Sequence, residues 1–205
     1  MLRIWGRVNS VNVKKALWAA EELGLKYERI DAGMQFGVNK TPEYLRMNPT
    51  GLVPTIDDDG FVLWESHTIV RYLAAKHGMG ALCPADPRAR ADAERWMDWA
   101  FTFQNAMRAV FWGLIRTPPE KRDHKAIEEG RNKSAELLAI PEKVLAGRQF
   151  ITGKGFSMAD IPLGCEVQRW MRVPIDRPRL PNIEAWFERL RARPPFRKIV
   201  DIPLT

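Results

Sequence analysis

The chain has 205 residues, 45% of them hydrophobic and 28% charged, enough to bury one core or two modest ones. No run approaches the ~20 consecutive apolar residues of a membrane span; the opening MLRIWGRVNS lacks the apolar stretch and cleavage site of a signal peptide; Cys83 and Cys165 stand apart without a CxxC. A membrane-spanning helix is absent from the pattern, the cysteines argue against a disulfide framework and a dithiol redox motif, and a cytoplasmic protein with no membrane partner is expected.

The formal net charge of +7 raises nucleic acid as a partner. Much of the excess lies late, in Arg189, Arg191, Arg193, Arg197 and Lys198 around Pro194-Pro195. That placement reads as a solvated basic helix end. With no RNP, KH or zinc-finger pattern beside it, no nucleic-acid partner is expected, and the charge suits attraction of small anions. His67, His77 and His124 are dispersed, so no metal site is expected either.

Residues 2–8 read as a buried strand and residues 11–23 as a helix, with Val13, Leu17 and Ala20 at helical spacing and Gly24 closing it. Residues 26–31, KYERID, alternate as a second strand. The loop AGMQFGVNK leads to a short helix with Thr41 as cap and Pro42 in its first position. A hairpin follows: residues 53–56, the turn Asp57-Asp58-Asp59-Gly60, and residues 61–64. Residues 66–77 form a helix with Ile69, Tyr72 and Leu73 on one face, ended by Gly78. The order is β-α-β-α-β-β-α over residues 1–80. Cys83-Pro84-Ala85-Asp86-Pro87 marks a linker over residues 81–87. Residues 88–205 then show only helical pattern: long helices over about 88–115 and 120–145, then two or three shorter ones. The fold class is α/β followed by all-α.

Two stretches carry most of the chemistry. Residues 48–69 read NPTGLVPTIDDDGFVLWESHTI. Pro54 has no amide hydrogen for a ladder, so the chain turns at Val53-Pro54, with a cis bond as one option, and neighbouring backbone groups are left to pair with an extended peptide. Ser66, at a helix start, offers its hydroxyl and the unpaired amides of the first turn to a carboxylate. Together they point to a small anionic peptide. In the second stretch, Phe156-Ser157-Met158-Ala159-Asp160-Ile161, Ser157 is expected to cap the N3 amide, Asp160 to reach back to the cap amide, and Phe156 to staple onto Ile161. This is a folding device.

These elements resemble a cytosolic glutathione S-transferase over nearly the whole chain. The resemblance rests on the β-α-β-α-β-β-α order, on NPTGLVPTI with its Val53-Pro54 step, on Trp64-Glu65-Ser66, and on FSMADI opening a helix of the α domain. It implies a thioredoxin-like first domain in which Pro54 is cis and glutathione, the co-substrate, lies against it as a pseudo-strand. Val53 would pair with the cysteinyl backbone, Glu65 and Ser66 would hold the γ-glutamyl ammonium and carboxylate, and Lys40 would reach the glycyl carboxylate. A homodimer is also implied.

A thiol with a pKa near 8.5 is mostly protonated at neutral pH, and each unit of depression needs ~1.4 kcal/mol of preferential stabilisation of the anion. The helix beginning Asn9-Ser10-Val11-Asn12 offers its N-terminal amides, the Ser10 hydroxyl and the Asn12 amide to one sulfur. By the resemblance, Ser10 fills the place of serine-type members. Ser10-Val11-Asn12 is similar to the Thr-x-Asn arrangement of bacterial members with disulfide-bond reductase activity. Either residue alternatively only caps the helix. For the second substrate, Phe36 and the stripe Trp99, Phe103, Met107 are candidates, although aromatics at this spacing also suit core or dimer packing. The expected activity is conjugation of glutathione, as thiolate, to a small hydrophobic electrophile. Glutathione-dependent disulfide reduction and a non-catalytic binding module of the same fold are the alternatives.

Overall fold

In the computed structural model, which describes residues 1–153 and 155–205, the chain opens with β1 (Leu2–Trp5), burying Leu2 and Ile4 and turning Arg3 outward. Helix α1 (Val11–Glu22) returns the chain so that β2 (Tyr27–Ile30) pairs with β1 in parallel. The first strand is shorter than its sequence suggests because the chain turns at Gly6 to let α1 pack close. A Cβ built there would lie 2.3 Å from Val13 Cγ2. Helix α2 (Pro42–Met47) starts as expected, the Thr41 hydroxyl accepting from the Tyr44 amide at 3.3 Å.

Strands β3 (Thr55–Asp58) and β4 (Phe61–Trp64) form the hairpin. Its turn is the two residues Asp59-Gly60, with φ of 52° and 93°, the pair of positive values that a twisted two-residue loop requires. Asp57 and Asp58 therefore belong to the strand rather than the turn. Asp57 meets Arg3, directly opposite on β1, at 2.5 Å. Val53 stands ahead of the strand and is joined to Pro54 by a cis peptide bond. Helix α3 (Ser66–His77) follows and packs on α1. The sheet order is β2-β1-β3-β4, with β3 antiparallel to both neighbours, and the element order is the β-α-β-α-β-β-α of a thioredoxin-like domain.

The chain divides into two units, Met1–Ala85 and Asp86–Thr205. The second is built of helices α4 (Pro87–Phe111), α5 (His124–Leu145), α6 (Asp160–Arg172), α7 (Pro181–Arg191) and α8 (Pro194–Ile199). Asp86 caps α4 through the Ala89 amide at 2.9 Å, and Asp123 caps α5 through the Ala126 amide at 3.0 Å. Helix α4 packs on α5 and α6. At Gly130 an added Cβ would come within 3.0 Å of the Ala106 carbonyl, so a small residue permits the α4–α5 approach. The regular helix expected to reach residue 115 ends at Phe111 and continues as a π-helical turn over Trp112–Arg116. There the Arg122 guanidinium donates to the Leu114 and Thr117 carbonyls at 2.9 and 3.2 Å.

The start of α6 is organised around Asp160, which has no exposed surface. Its Oδ2 accepts from the Ser157 amide at 3.0 Å, the predicted reach back to the cap. Its Oδ1 accepts from the Ile151 amide at 3.0 Å and from Trp186 Nε1 at 2.8 Å, two partners that the local sequence does not announce. The Ser157 hydroxyl takes the Ala159 amide at 3.4 Å rather than the amide of Asp160, one residue earlier than expected. Phe156 lies edge-on to Phe150, with the Arg193 guanidinium over its ring at 3.9 Å. Among the described residues, no helix is long and apolar enough to cross a membrane.

Candidate functional site

Strand register gathers the candidate residues. Trp5, the last residue of β1, faces Ile30, the last of β2, and Thr55, the first of β3; Thr55 in turn faces Trp64, the last of β4. The segments leading to Ser10, to Phe36 and Lys40, through Val53-Pro54, and to Glu65-Ser66 thus all leave one end of the sheet. Three inter-strand steps span ~14 Å, against the ~10 Å reach of an extended tripeptide.

The centre of that end is a braced loop. Asn48 Nδ2 donates to the Leu52 carbonyl and to Thr55 Oγ1, both at 3.0 Å, while its Oδ1 accepts from the Thr50 amide at 3.1 Å. The Tyr44 hydroxyl reaches the same Leu52 carbonyl at 2.5 Å and Thr55 Oγ1 at 2.7 Å, and Asn39 Nδ2 donates to the Gly51 carbonyl at 2.6 Å. Burial pushes the Tyr44 hydroxyl up from its ordinary pKa, so it stays protonated and available as a donor. Val53 packs toward Trp5, Ala32 and Tyr44. Among the described residues, its backbone N–H and C=O enter no hydrogen bond of the fold. A strand-like edge is held rigid around one open pair of groups, which suits an extended peptide. Sequence reasoning missed Asn39, Tyr44 and this role of Asn48; only the Asn-Pro-Thr step, with its side-chain-to-amide turn chemistry, carried a signal.

Glu65 sits at φ 72°, ψ 112°, a backbone conformation that non-glycine residues rarely adopt, and its side chain is exposed. Ser66 opens α3 with 3% exposure, among first-turn amides that lack helical partners. Ser10, 7% exposed, is the N-cap of α1, yet its side chain makes no capping hydrogen bond. The hydroxyl of a simple cap would be engaged with an N2 or N3 amide. Asn12 is half-buried in the first turn of α1, and its Oδ1 accepts from Lys15 Nζ at 3.1 Å. Lys40 is exposed, its Nζ 3.2 Å from where a Cβ of Gly51 would stand, beside the braced loop.

Residues 1–75 match the family model described as "Glutathione S-transferase, N-terminal domain", and residues 103–194 match "Glutathione S-transferase, C-terminal domain". The chain belongs to the glutathione S-transferase family. The transferase is 44% identical to glutathione S-transferase GstB of Escherichia coli strain K12, with 100% of each chain covered. It is 28% identical to glutathione S-transferase F13 of Arabidopsis thaliana, over 97% of this chain and 94% of the relative. Its fold superposes with a TM-score of 0.96 and 49% identity on the theta class glutathione S-transferase of Xanthomonas axonopodis pv. citri, solved with glutathione bound, covering 100% of this chain and 99% of the other. The protein is accordingly an enzyme, a glutathione S-transferase, and neither the disulfide reductase nor the non-catalytic module is favoured.

The candidates for a second substrate fare unequally. Phe36 is 41% exposed at the same end of the sheet as Ser10. Phe103 and Met107 both have 0% exposure within α4, so these two are core side chains and present no surface to a ligand. The i, i+4 spacing that nominated them is the spacing of a buried helix face.

Proposed function

We propose that the transferase holds glutathione along Val53-Pro54 and uses Ser10 and Asn12 to keep its sulfur as the thiolate. The N–H and C=O of Val53 pair with the cysteinyl backbone. Ser66 and the first-turn amides of α3 take the γ-glutamyl carboxylate, and Glu65 takes its ammonium, a donor and an acceptor side by side for a group that carries both charges. Lys40 meets the glycyl carboxylate. The observation that supports this reading is the register Ile30–Trp5–Thr55–Trp64, from which the segments bearing these residues all leave one end of a four-stranded sheet. The open Ser10 hydroxyl supports it further.

In the reaction, the thiolate attacks an electrophilic carbon of a small hydrophobic second substrate. A carbon–sulfur bond forms, and the leaving group departs with its electron pair. The protein works in the cytoplasm as a homodimer; Leu52 and Phe61, 63% and 49% exposed, are apolar surface that a second copy would cover.

The deciding experiment measures glutathione affinity and turnover with an aryl halide and a small disulfide for the wild type, Ser10→Ala and Ser66→Ala. Ser66→Ala is expected to weaken glutathione binding, and Ser10→Ala to lower turnover at nearly unchanged affinity. Full turnover in Ser10→Ala removes Ser10 from the mechanism. Faster disulfide than aryl-halide turnover in the wild type overturns conjugation as the main activity.

A further inference from the structure

Lys15 has no exposed surface, yet it lies in the first half of α1 beside the site. A buried ammonium costs several kcal/mol unless its donors are engaged. Here Lys15 Nζ stands 3.1 Å from Asn12 Oδ1 and 3.1 Å from His67 Nε2. An ammonium has three donors and no acceptor. The Asn12 atom facing it must therefore be the carbonyl oxygen, and the imidazole must accept through Nε2 and carry its proton on Nδ1. With its oxygen committed to Lys15, Asn12 keeps its NH2 group, a donor, for its remaining contacts. His67 is the second residue of α3 and follows Ser66 directly. One cation thus touches the first turn of α1 and the first turn of α3.

We propose that Lys15 is a positioning residue for the transferase reaction. Its buried ammonium fixes the Asn12 amide in its donor orientation and, through His67, holds the helix starts bearing Ser10 and Ser66 at a set spacing. This rests on the reading of Ser10 and Asn12 as the thiolate site. Two effects follow from one group. The amide presents N–H rather than C=O to an anion, and a positive charge with no exposed surface lies one residue contact behind it. His67 is a titratable side chain that faces Lys15 from α3.

The test uses Lys15→Met, Lys15→Arg and Asn12→Ala in the full chain. It reads kcat/KM for glutathione with an aryl halide across pH, the ultraviolet absorbance of the bound thiolate, and thermal unfolding. Methionine keeps the length of the side chain without the charge, so Lys15→Met is expected to fold at least as stably as the wild type. Its thiol pKa is expected to rise by about one unit, lowering kcat/KM about tenfold on the acidic limb, with the profiles converging at high pH and the KM for glutathione little changed. Lys15→Arg is expected to restore most of the wild-type profile. An unmoved profile in Lys15→Met overturns the proposal. If Asn12→Ala moves it nonetheless, the thiolate site stands; if neither does, the role of Asn12 falls as well. A profile moved by Lys15→Met but not by Asn12→Ala also overturns the proposal, because the charge would then act without the amide.

Discussion

Ser10 and Ser157 both stand at or just before a helix start in this protein, and they differ in what they leave open. Ser157, before α6, is consumed by its own fold: its hydroxyl takes the Ala159 amide and its amide goes to Asp160, which also ties Ile151 and Trp186. Ser10, at the start of α1, makes no side-chain capping bond. A helix start that satisfies its polar groups internally stabilises the fold, whereas one that leaves a hydroxyl and amides unspent can hold a ligand. The same residue type, as the N-cap of α1 and three residues ahead of α6, serves a candidate catalytic role in one unit and a folding role in the other.

The widest gap in that comparison is at Asp160. Replacing it by alanine leaves the Ile151 and Ser157 amides and the Trp186 indole N–H buried without acceptors. Each orphaned donor costs about 1–3 kcal/mol, partly offset because a buried carboxylate is also removed. We expect Asp160→Ala to lose about 4 kcal/mol of unfolding free energy, measured in urea. A loss below about 1 kcal/mol would mean that the Asp160 cluster is no folding device and that the contrast with Ser10 is empty.

Protonation offers a second way to break the comparison. Burial pushes the Asp160 carboxyl up from 3.8 to about 6, against the pull of hydrogen bonds from Ile151, Trp186 and Ser157. The folded value is the higher one, so the stability this group contributes is full below 3.8 and is lost as the pH rises through about 6. At ~1.4 kcal/mol per pKa unit, the loss is about 3 kcal/mol. Asparagine does not titrate, so the stability of the wild type relative to Asp160→Asn should fall by most of that amount between pH 4 and pH 7. A flat difference would show that the carboxyl titrates alike in both states.

Much of this organisation is legible in the sequence, for identifiable reasons. Thr41-Pro42 and Asp59-Gly60 obey local rules of capping and turn chemistry, which need only neighbouring residues. The gathering of Ser10, Val53 and Ser66 at one end of the sheet follows from strand order, which the resemblance supplied and the register realises. Long-range partners stayed hidden. Trp186 lies 26 residues from Asp160 and His67 lies 52 residues from Lys15, separations over which no periodicity carries a signal. Lysine in a helix is ordinarily exposed, so nothing marked Lys15 as buried. Phe103 and Met107 misled because a buried stripe and a ligand-facing stripe share one spacing.

Ser10→Ala sharpens the comparison from the other side. An anion-stabilising donor in a desolvated site is worth about a hundredfold in turnover. A hydroxyl that caps nothing should contribute less than about 0.5 kcal/mol to stability. We expect a large kinetic loss with an unchanged urea midpoint, read from steady-state rates and unfolding curves on one preparation. The reverse pattern, a stability loss with intact turnover, would make Ser10 a cap after all.

The smallest expected effect is the mirror of that one. Ser157→Ala removes a single hydroxyl whose bond to the Ala159 amide is long, at 3.4 Å, while the backbone bond from the Ser157 amide to Asp160 Oδ2 at 3.0 Å needs no side chain and survives. The cost should therefore be that of a lost cap, about 1 kcal/mol, and well short of the loss at Asp160. Turnover per folded molecule should not change, because every partner of Ser157 lies in the start of α6 and the turns before it. A stability loss matching that of Asp160→Ala would move the organising role from the carboxylate to the hydroxyl. The two helix starts would then differ in which serine bonds its own helix, and the carboxylate behind Ser157 would no longer account for the difference.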